Sequence, residues 1–461
     1  MSSESDVPTT PSDTLYYGLA ILIGLAGGAA GSAFHILVEH LSLWPEHLVG
    51  AFGRGPLTYV VSAVVAAAMV IASLYLVRRF APEAGGSGVQ EIEGAMEGLR
   101  PVHWRRVLPV KFIGGVMALG SGLVAGREGP TIHIGASIAA GLSETFRLGR
   151  TDSRGLLAAG AAAGLSAAFN APLAAILFII EETRRQFPYT FRTYMAVIAA
   201  AAASAVVTEA ISGASPFLAV TAGEMPLWSL AAFALLGAVL GVVGIVFNRC
   251  LILSLDAVRA VSMRVPYLPA AVVGAAVGVL VLALPEATGG GERLLVRLIG
   301  ENLPLALLAA IAVIRFAGTM ASYSIGTPGG IFAPILALAT AIGLAFGGVM
   351  AALAPLPDTA EAAFAVAAMG GLFTATVRAP LVGVVLVAEL TGTYALILPV
   401  IVTCGVANVV ADRLRGRPIY EVLLERTLRL AGVTAPPIPD EPAAPSPVGV
   451  DAPSPPPISD R

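Results

Sequence analysis

The chain has 461 residues, of which 56% are hydrophobic and only 12% are charged. Soluble domains carry about 25% charged residues, so this chain has too little polar surface to face water on every side. A formal net charge of −3 gives no support for nucleic-acid binding. Together with a mean hydropathy of +0.83, these values predict an all-α polytopic membrane protein.

Residues 1–13 are polar and acidic, and we predict that they form a disordered tail. Two apolar runs follow, Tyr17–Val38 and Leu57–Val77. Each is long enough to cross a hydrocarbon core of about 30 Å, which requires about 20 helical residues. A polar and charged stretch, Arg78–Arg106, then leads to the next apolar run, Val107–Ala125.

A charged pair interrupts the apolar sequence in the break Gly126-Arg127-Glu128-Gly129-Pro130. Ionisable residues at membrane depth are tolerated where protein buries them or where they line a watery cavity. Proline suits the first turn of a helix, so we predict that Pro130 lies in the first turn of a new helix. We consider the case in which this helix begins at Pro130. Its free N–H groups and positive dipole end would then face Glu128, which predicts an anion site beside a carboxylate. A surface loop between two spans is the alternative interpretation.

The three apolar runs after this break, Thr131–Thr145, Leu156–Ala168 and Pro172–Ile180, are short. Segments too short to cross a bilayer are typical of broken helices that meet near its middle. The second half contains another break, at Gly326–Pro334. The apolar runs in the remaining part of the chain are Met195–Ile211, Leu227–Leu255, Leu268–Leu284, Leu305–Tyr323, Ile335–Leu353, Ala362–Thr376, Pro380–Leu390 and Tyr394–Ala411. Residues 431–461 are rich in Pro, so we predict a disordered tail there and no folded regulatory domain.

An internal repeat is visible in the sequence. The segment Gly164–Leu173 is similar to Gly371–Leu381, and each continues as a short apolar run that ends in glutamate. These glutamates are Glu181-Glu182 in the first copy and Glu389 in the second. A break rich in Gly and Pro precedes each copy. The pattern predicts a pseudo-symmetric protein with its site between the repeats, and sequence identity alone leaves open whether they are inverted.

Clustered arginines indicate how the chain is oriented. Arg413, Arg415 and Arg417 follow the last apolar run, and Arg100, Arg105 and Arg106 with Lys111 follow the second. By the positive-inside rule, both regions are predicted to be cytoplasmic. We therefore expect both termini in the cytoplasm and, since the chain looks bacterial, a multi-pass location in the inner membrane.

Four patterns occur along the chain in this order: Gly86-Ser87-Gly88-Val89-Gln90-Glu91-Ile92-Glu93-Gly94, Gly126-Arg127-Glu128-Gly129-Pro130, Gly330-Ile331-Phe332-Ala333-Pro334 and Arg417-Pro418-Ile419-Tyr420. With them, the chain from about Tyr17 to Leu430 resembles the CLC family of chloride channels and proton-coupled chloride transporters, and its bacterial antiporter branch most closely. The resemblance implies a transmembrane domain over 14–430. It would consist of two inverted repeats of tilted and broken helices, at about 14–212 and about 227–430.

The resemblance also implies a chloride site. The hydroxyl of Ser87, the phenol of Tyr420 and the N–H groups around Ile331 and Phe332 would hold the anion, and the neighbouring backbone of Gly88 and Gly129 would contribute. Such donors offer polarity without a full positive charge, so the ion can leave again. Taken alone, Ser87 is more simply a helix cap, and Tyr420 an aromatic residue at the membrane interface.

Two glutamates are implied to couple chloride to protons. Glu128 resembles the gating glutamate, whose carboxylate competes with chloride for one position. Glu182 resembles the internal proton glutamate, and its presence favours an antiporter over a channel. The alternative for Glu182 is that it ends a helix beside Arg184 and Arg185.

Four other ionisable residues are given structural roles. Glu93, Lys111 and Glu389 are expected in buried polar networks, and His133 is expected to pack or to line water rather than relay protons.

One departure from the family pattern concerns the anion site. Val89 and Gln90 stand where Ile and Pro are commoner, and Gln90 replaces a rigid helix start with an amide. Ser87 favours chloride over nitrate, and the fluoride-selective branch usually lacks this serine pattern.

The leading hypothesis is proton-coupled chloride antiport by a homodimer with one pathway per subunit. A passive voltage- or pH-gated chloride channel on the same fold is the alternative, and an exchanger of fluoride or another anion is weaker. A metabolite transporter would place charged substrate-binding residues inside the spans, and none is recognised. The two cysteines, Cys250 and Cys404, lack metal-ligand spacing, and no nucleophile motif occurs, so neither an enzyme nor a cofactor is expected.

Overall fold

The computed structural model describes residues 11–184, 187–213, 218, 220, 223, 225–291, 294–295 and 303–433. Most of both predicted tails, residues 1–10 and 434–461, therefore lies outside the described residues, as does Arg185. The helices of the first half are α1 (Asp13–Leu41), α2 (Trp44–Phe52), α3 (Pro56–Phe80), α4 (Val89–Glu97), α5 (Trp104–Gly120), α6 (Glu128–Thr145), α7 (Arg150–Phe169), α8 (Pro172–Thr183) and α9 (Phe191–Ser212). Those of the second half are α10 (Leu230–Ser262), α11 (Leu268–Ala283), α12 (Leu305–Ser324), α13 (Phe332–Leu353), α14 (Ala360–Val377), α15 (Pro380–Thr391), α16 (Ile397–Arg413) and α17 (Ile419–Leu430).

Seven helical segments in the described part of the chain are long and apolar enough to cross a bilayer. They are Asp13–Phe52, Pro56–Phe80, Phe191–Ser212, Leu227–Ser262, Leu305–Ser324, Phe332–Leu353 and Ala360–Val377. The prediction of an all-α polytopic membrane protein is confirmed.

The two halves repeat the same order of helices. Helices α6, α7, α8 and α9 correspond to α13, α14, α15 and α16. In each half a long helix ends at a left-handed residue, Asn170 with φ 52° or Arg378 with φ 72°. A short helix of 12 residues then begins with proline, at Pro172 or Pro380. Twelve residues extend only about 18 Å, so neither short helix crosses a bilayer by itself.

Close contact between backbones holds the first repeat together. A Cβ added to Gly164 would overlap the carbonyl of Thr131, and Cβ atoms on Gly135 and Gly160 would each overlap the other residue's carbonyl. Only glycine allows α6 and α7 to approach so closely. This contact fixes the position of the N-terminus of α6.

Helices α2, α4 and α17 arise in stretches where no apolar run was recognised. Helix α4 lies within the polar stretch Arg78–Arg106, and α17 follows the last run. Both are short; α17 buries residues on one face, whereas nearly all of α4 is buried. Hydropathy alone therefore missed them, because their polar residues interrupt each apolar run.

Candidate functional site

Backbone pairing brings three of the four sequence patterns together. Gly126 and Gly330 exchange both hydrogen bonds, with N to O distances of 2.8 and 2.7 Å. Gly86 donates to the carbonyl of Thr327 at 3.1 Å and accepts from Gly329 at 3.1 Å. Loops that are more than 200 residues apart in sequence thus form one small backbone unit between the repeats.

The helix after the first break begins two residues before Pro130. Helix α6 starts at Glu128, and Thr131 N already donates to Arg127 O at 3.0 Å. Pro130 therefore lies in the first turn of this helix, as predicted, but it is not the residue at which the helix begins. The first-turn N–H groups of a helix need no intrahelical acceptor, so proline fits anywhere in that turn. Glu128 is therefore the first residue of the helix.

The carboxylate of Glu128 is fully buried, and it lies over the paired glycines. A Cβ added to Gly126 would overlap Glu128 Oε2, and one added to Gly330 would lie 3.3 Å from the same atom. The carboxylate therefore occupies the point at which the breaks of the two repeats meet.

Ser87 lies directly against the first turn of α6. A Cβ added to Gly129 would overlap Ser87 Oγ and would lie 2.7 Å from Ser87 O. Ser87 is fully buried, and its Oγ has no hydrogen-bond partner within the described ranges. Gly88 adopts φ +95° at the N-cap of α4, a conformation that glycine favours. The ring of His133 packs against it, since a Cβ there would lie 2.5 Å from Nδ1.

Ile331 and Phe332 are buried at the start of α13, and Tyr420 is buried at the start of α17. Aromatic contacts connect them. The ring of Phe178 lies edge-on to Phe332 at 5.3 Å between centroids and edge-on to Tyr420 at 6.2 Å. The fourth sequence pattern thus reaches the same region through a side chain of α8.

Glu182 lies apart from this group, at the end of α8, where it is half-buried. Glu93, which is fully buried on α4, is within electrostatic range of it. Tyr420 is in turn within electrostatic range of Glu182, Glu93 and Glu128. Tyr420 is therefore within electrostatic range of both glutamates that the sequence singled out.

Lys111 is fully buried and holds the first loop in place. Its ammonium donates to Ala84 O at 3.0 Å and to Gly86 O at 2.7 Å. These bonds fit the structural role expected for Lys111.

Comparison with known proteins decides the family. Residues 68–412 match the protein-family model described as voltage gated chloride channel. The chain belongs to this family. The resemblance to the CLC family and its bacterial antiporter branch is confirmed by two further matches. An H(+)/Cl(-) exchange transporter, ClcA, of Vibrio parahaemolyticus is 43% identical over 417 residues, which cover 89% of each chain. The protein of that name from Vibrio cholerae is 44% identical over 429 residues, which cover 91% of each.

A solved structure shows the same fold. That of a slow cyanobacterial Cl-/H+ antiporter superposes with a TM-score of 0.87 at 37% sequence identity, covering 91% of this chain and 99% of that one. The predicted CLC-type architecture is confirmed.

One residue that lies beside Ser87 in the structure was not identified from the sequence. Tyr323, in the last turn of α12, is buried, and its phenol oxygen lies 3.5 Å from Ser87 N. It was counted only as the end of an apolar run. A signal was available, since a tyrosine that ends the span directly before a Gly- and Pro-rich break is placed to reach that break.

The arrangement can hold a small anion in competition with a carboxylate. The paired glycines lie beside the Glu128 carboxylate, and the Ser87 hydroxyl lies against the first turn of α6. Neutral hydroxyl and backbone N–H donors bind anions without a full charge. No group of three His, Cys, Asp or Glu side chains among the described residues could hold a metal ion.

Proposed function

We propose that this protein exchanges chloride for protons across a membrane. The observation that supports this most directly is the placement of the Glu128 carboxylate, which is buried against Gly126 and Gly330 in the helix turn whose Gly129 packs against the hydroxyl of Ser87. The names of the two Vibrio relatives, both H(+)/Cl(-) exchange transporters, support the same assignment.

Competition for one position links the two ions. An ionised Glu128 carboxylate occupies a site whose neutral donors would otherwise bind chloride. A proton on Glu128 removes the charge that these donors stabilise, so the side chain can leave and chloride can enter. Because the donors are hydroxyl and backbone N–H groups, chloride is held weakly enough to leave again. Chloride entry then requires proton uptake by Glu128.

Glu182 supplies the proton from the other side in this proposal. It is half-buried at the end of α8, next to Glu93 and within electrostatic range of Tyr420. A carboxylate with access to solvent and to a buried acidic neighbour can pass protons inward. A passive channel would not require an acidic group at position 182.

The proposed functional unit is a homodimer with one pathway per subunit. Helices α8 and α15 are too short to cross a bilayer, yet Leu173 and Leu381 in their first turns are 58% and 63% exposed. These exposed apolar side chains offer a face on which helices of a second copy can pack. A second copy would cover them.

The arginines of 413–417 favour cytoplasmic termini, and the bacterial relatives favour an inner-membrane location.

Flux measurements in liposomes test the proposal. Under an imposed chloride gradient, the wild-type protein should drive protons uphill, and Glu182→Gln should abolish proton movement while chloride still flows. Glu209→Gln, at an exposed glutamate of α9, is the matched control and should remain coupled. Chloride flow without any pH change in the wild type would instead identify a passive channel. Flux of fluoride but not of chloride would show that chloride is not the transported anion.

A further inference from the structure

Tyr323 has an unused hydrogen-bond donor in the anion site. The residue is only 4% exposed, and its phenol oxygen is positioned to accept the Ser87 N–H at 3.5 Å. Within the described ranges no acceptor is found for the phenol hydrogen. A phenol can accept and donate at once, so the O–H remains available to a ligand.

Two further buried polar atoms close to it lack partners in the described part of the chain. They are Ser87 Oγ and the side-chain carbonyl oxygen of Gln90. The Gln90 amide and the phenol both border Gly86, because a Cβ on this glycine would lie 3.4 Å from Tyr323 Oη and 3.6 Å from Gln90 Nε2. Buried polar groups are almost always paired in folded proteins, so a cluster of unpaired ones indicates a bound ligand or water.

The charges around this cluster favour an anion. The ammonium of Lys111 binds the carbonyl of Gly86 at 2.7 Å, the glycine that the phenol and the amide flank. Glu91 is within electrostatic range of Tyr323, but its carboxylate is paired with Arg100 at 2.5 Å. Tyr420, the phenol expected at the chloride site, is within electrostatic range of Tyr323 as well.

We propose that Tyr323 is a third hydroxyl donor of the anion site, beside Ser87 and Tyr420, and that it strengthens selection for small, strongly hydrated anions. Such an anion requires replacement of its lost water by direct donors, whereas a large, weakly hydrated anion requires less. This inference rests on the proposed function, since it extends the same site.

Calorimetric titration of the purified protein in detergent tests the inference directly. Tyr323→Phe removes only the hydroxyl, and we expect the chloride dissociation constant to rise about 3- to 10-fold, as for the loss of one neutral hydrogen bond. The dissociation constant of thiocyanate should change less than about 2-fold, so the ratio of the two affinities shifts. Tyr16→Phe, at another buried tyrosine, is the control and should bind both anions as the wild type does.

Several outcomes would overturn the inference. Wild-type chloride affinity in Tyr323→Phe would show that the hydroxyl does not contact the ion. An equal loss of affinity for chloride and thiocyanate would show that it does not select between them, which also contradicts the inference. Absence of chloride binding by the wild-type protein would overturn the proposed function together with this inference.

A second measurement needs no variant. In crystals grown in bromide, an anomalous peak within hydrogen-bond distance of the Tyr323 phenol is expected. A peak at Ser87 and Tyr420 that lies beyond the reach of this phenol would contradict the proposal.

Discussion

The carboxylate of Glu389, near the end of α15, accepts hydrogen bonds from Leu173 N at 2.9 Å and Ala174 N at 2.7 Å in the first turn of α8. Glu181, near the end of α8, accepts one from Val382 N at 3.1 Å in the first turn of α15. Each short helix is thus capped by a glutamate of the other, and the two must lie antiparallel. This reciprocity is what a pseudo-twofold axis between inverted repeats requires.

We expect Glu389→Ala to lower the thermal unfolding midpoint of the purified protein. The substitution removes two charge-assisted hydrogen bonds from the first turn of α8, where a cap of this kind contributes about 1–2 kcal/mol. Glu181→Ala should have a smaller effect, since the matching bond is longer. Glu209→Ala, at an exposed glutamate of α9, should change little. An equal loss in all three variants would show that capping is not the cause.

Gly126→Ala should uncouple chloride from protons. The φ of Gly126 is not positive, so alanine fits its backbone, and the added methyl would overlap only the carboxylate of Glu128. This flexible group can move away, which vacates its position between the repeats. In liposomes we expect chloride flux to continue with most of its proton coupling lost.

The control for this variant is Gly405→Ala, at a glycine of α16 that has open space around it. It should leave the coupled exchange unchanged. If Gly126→Ala pumps protons as well as the wild type does, the Glu128 side chain does not need the position it occupies here.

Local patterns in the sequence were sufficient to predict the repeats, the breaks and most spans. The helix start at Glu128 was not predictable, because Pro130 suits several positions of a first turn. Tyr323 was missed because its contact with Ser87 joins residues 236 positions apart. Only the pairing of the distant breaks brings these two side chains together.

Gln90 departs from the family pattern, yet it leaves the start of its helix unchanged. Helix α4 still begins at Val89, because the left-handed Gly88 provides the turn. The N–H of Gln90 lies in the first turn and needs no intrahelical acceptor. The consequence of losing proline is therefore chemical rather than conformational, since a buried amide is left beside Tyr323.

Arg315 should be the most sensitive position outside the anion site. It lies inside the run Leu305–Tyr323, where no substrate-binding charge was recognised. Its guanidinium donates to the carbonyls of Glu286, Thr288 and Gly289 at 3.1 Å and of Gly290 at 3.0 Å. Gly289 in turn binds Gly122 O at 2.9 Å, so the arginine holds this loop against the segment that leads to Gly126.

Replacement of Arg315 by methionine leaves several buried carbonyls without donors. We expect a loss of about 3 kcal/mol or more, seen as a large fall in the thermal midpoint or in the yield of folded protein. Arg315→Lys should be intermediate, because an ammonium has fewer donors in a different geometry. Arg249→Met, at an exposed arginine of α10, should be tolerated. If Arg315→Met is tolerated as well as Arg249→Met, the loop keeps its position without the hydrogen bonds from Arg315.

The ion pair between Arg417 and Glu425, beside Tyr420, should contribute a small amount to the free energy of unfolding, and this contribution should be lost at acidic pH. Two hydrogen bonds join the side chains, one from Nη1 to Oε2 at 2.9 Å and one from Nη2 to Oε1. The Arg417 guanidinium lowers the pKa of Glu425, so the stabilisation is present above the unfolded pKa of about 4.3 and is lost as the pH falls through the lower folded value. Both side chains are nearly half exposed, so we expect Glu425→Gln to cost less than about 1 kcal/mol at pH 7.

Thermal midpoints of wild type and variant, recorded across a pH series, should become equal at acidic pH. A difference that persists below both pKa values would assign the effect to packing of α17 instead.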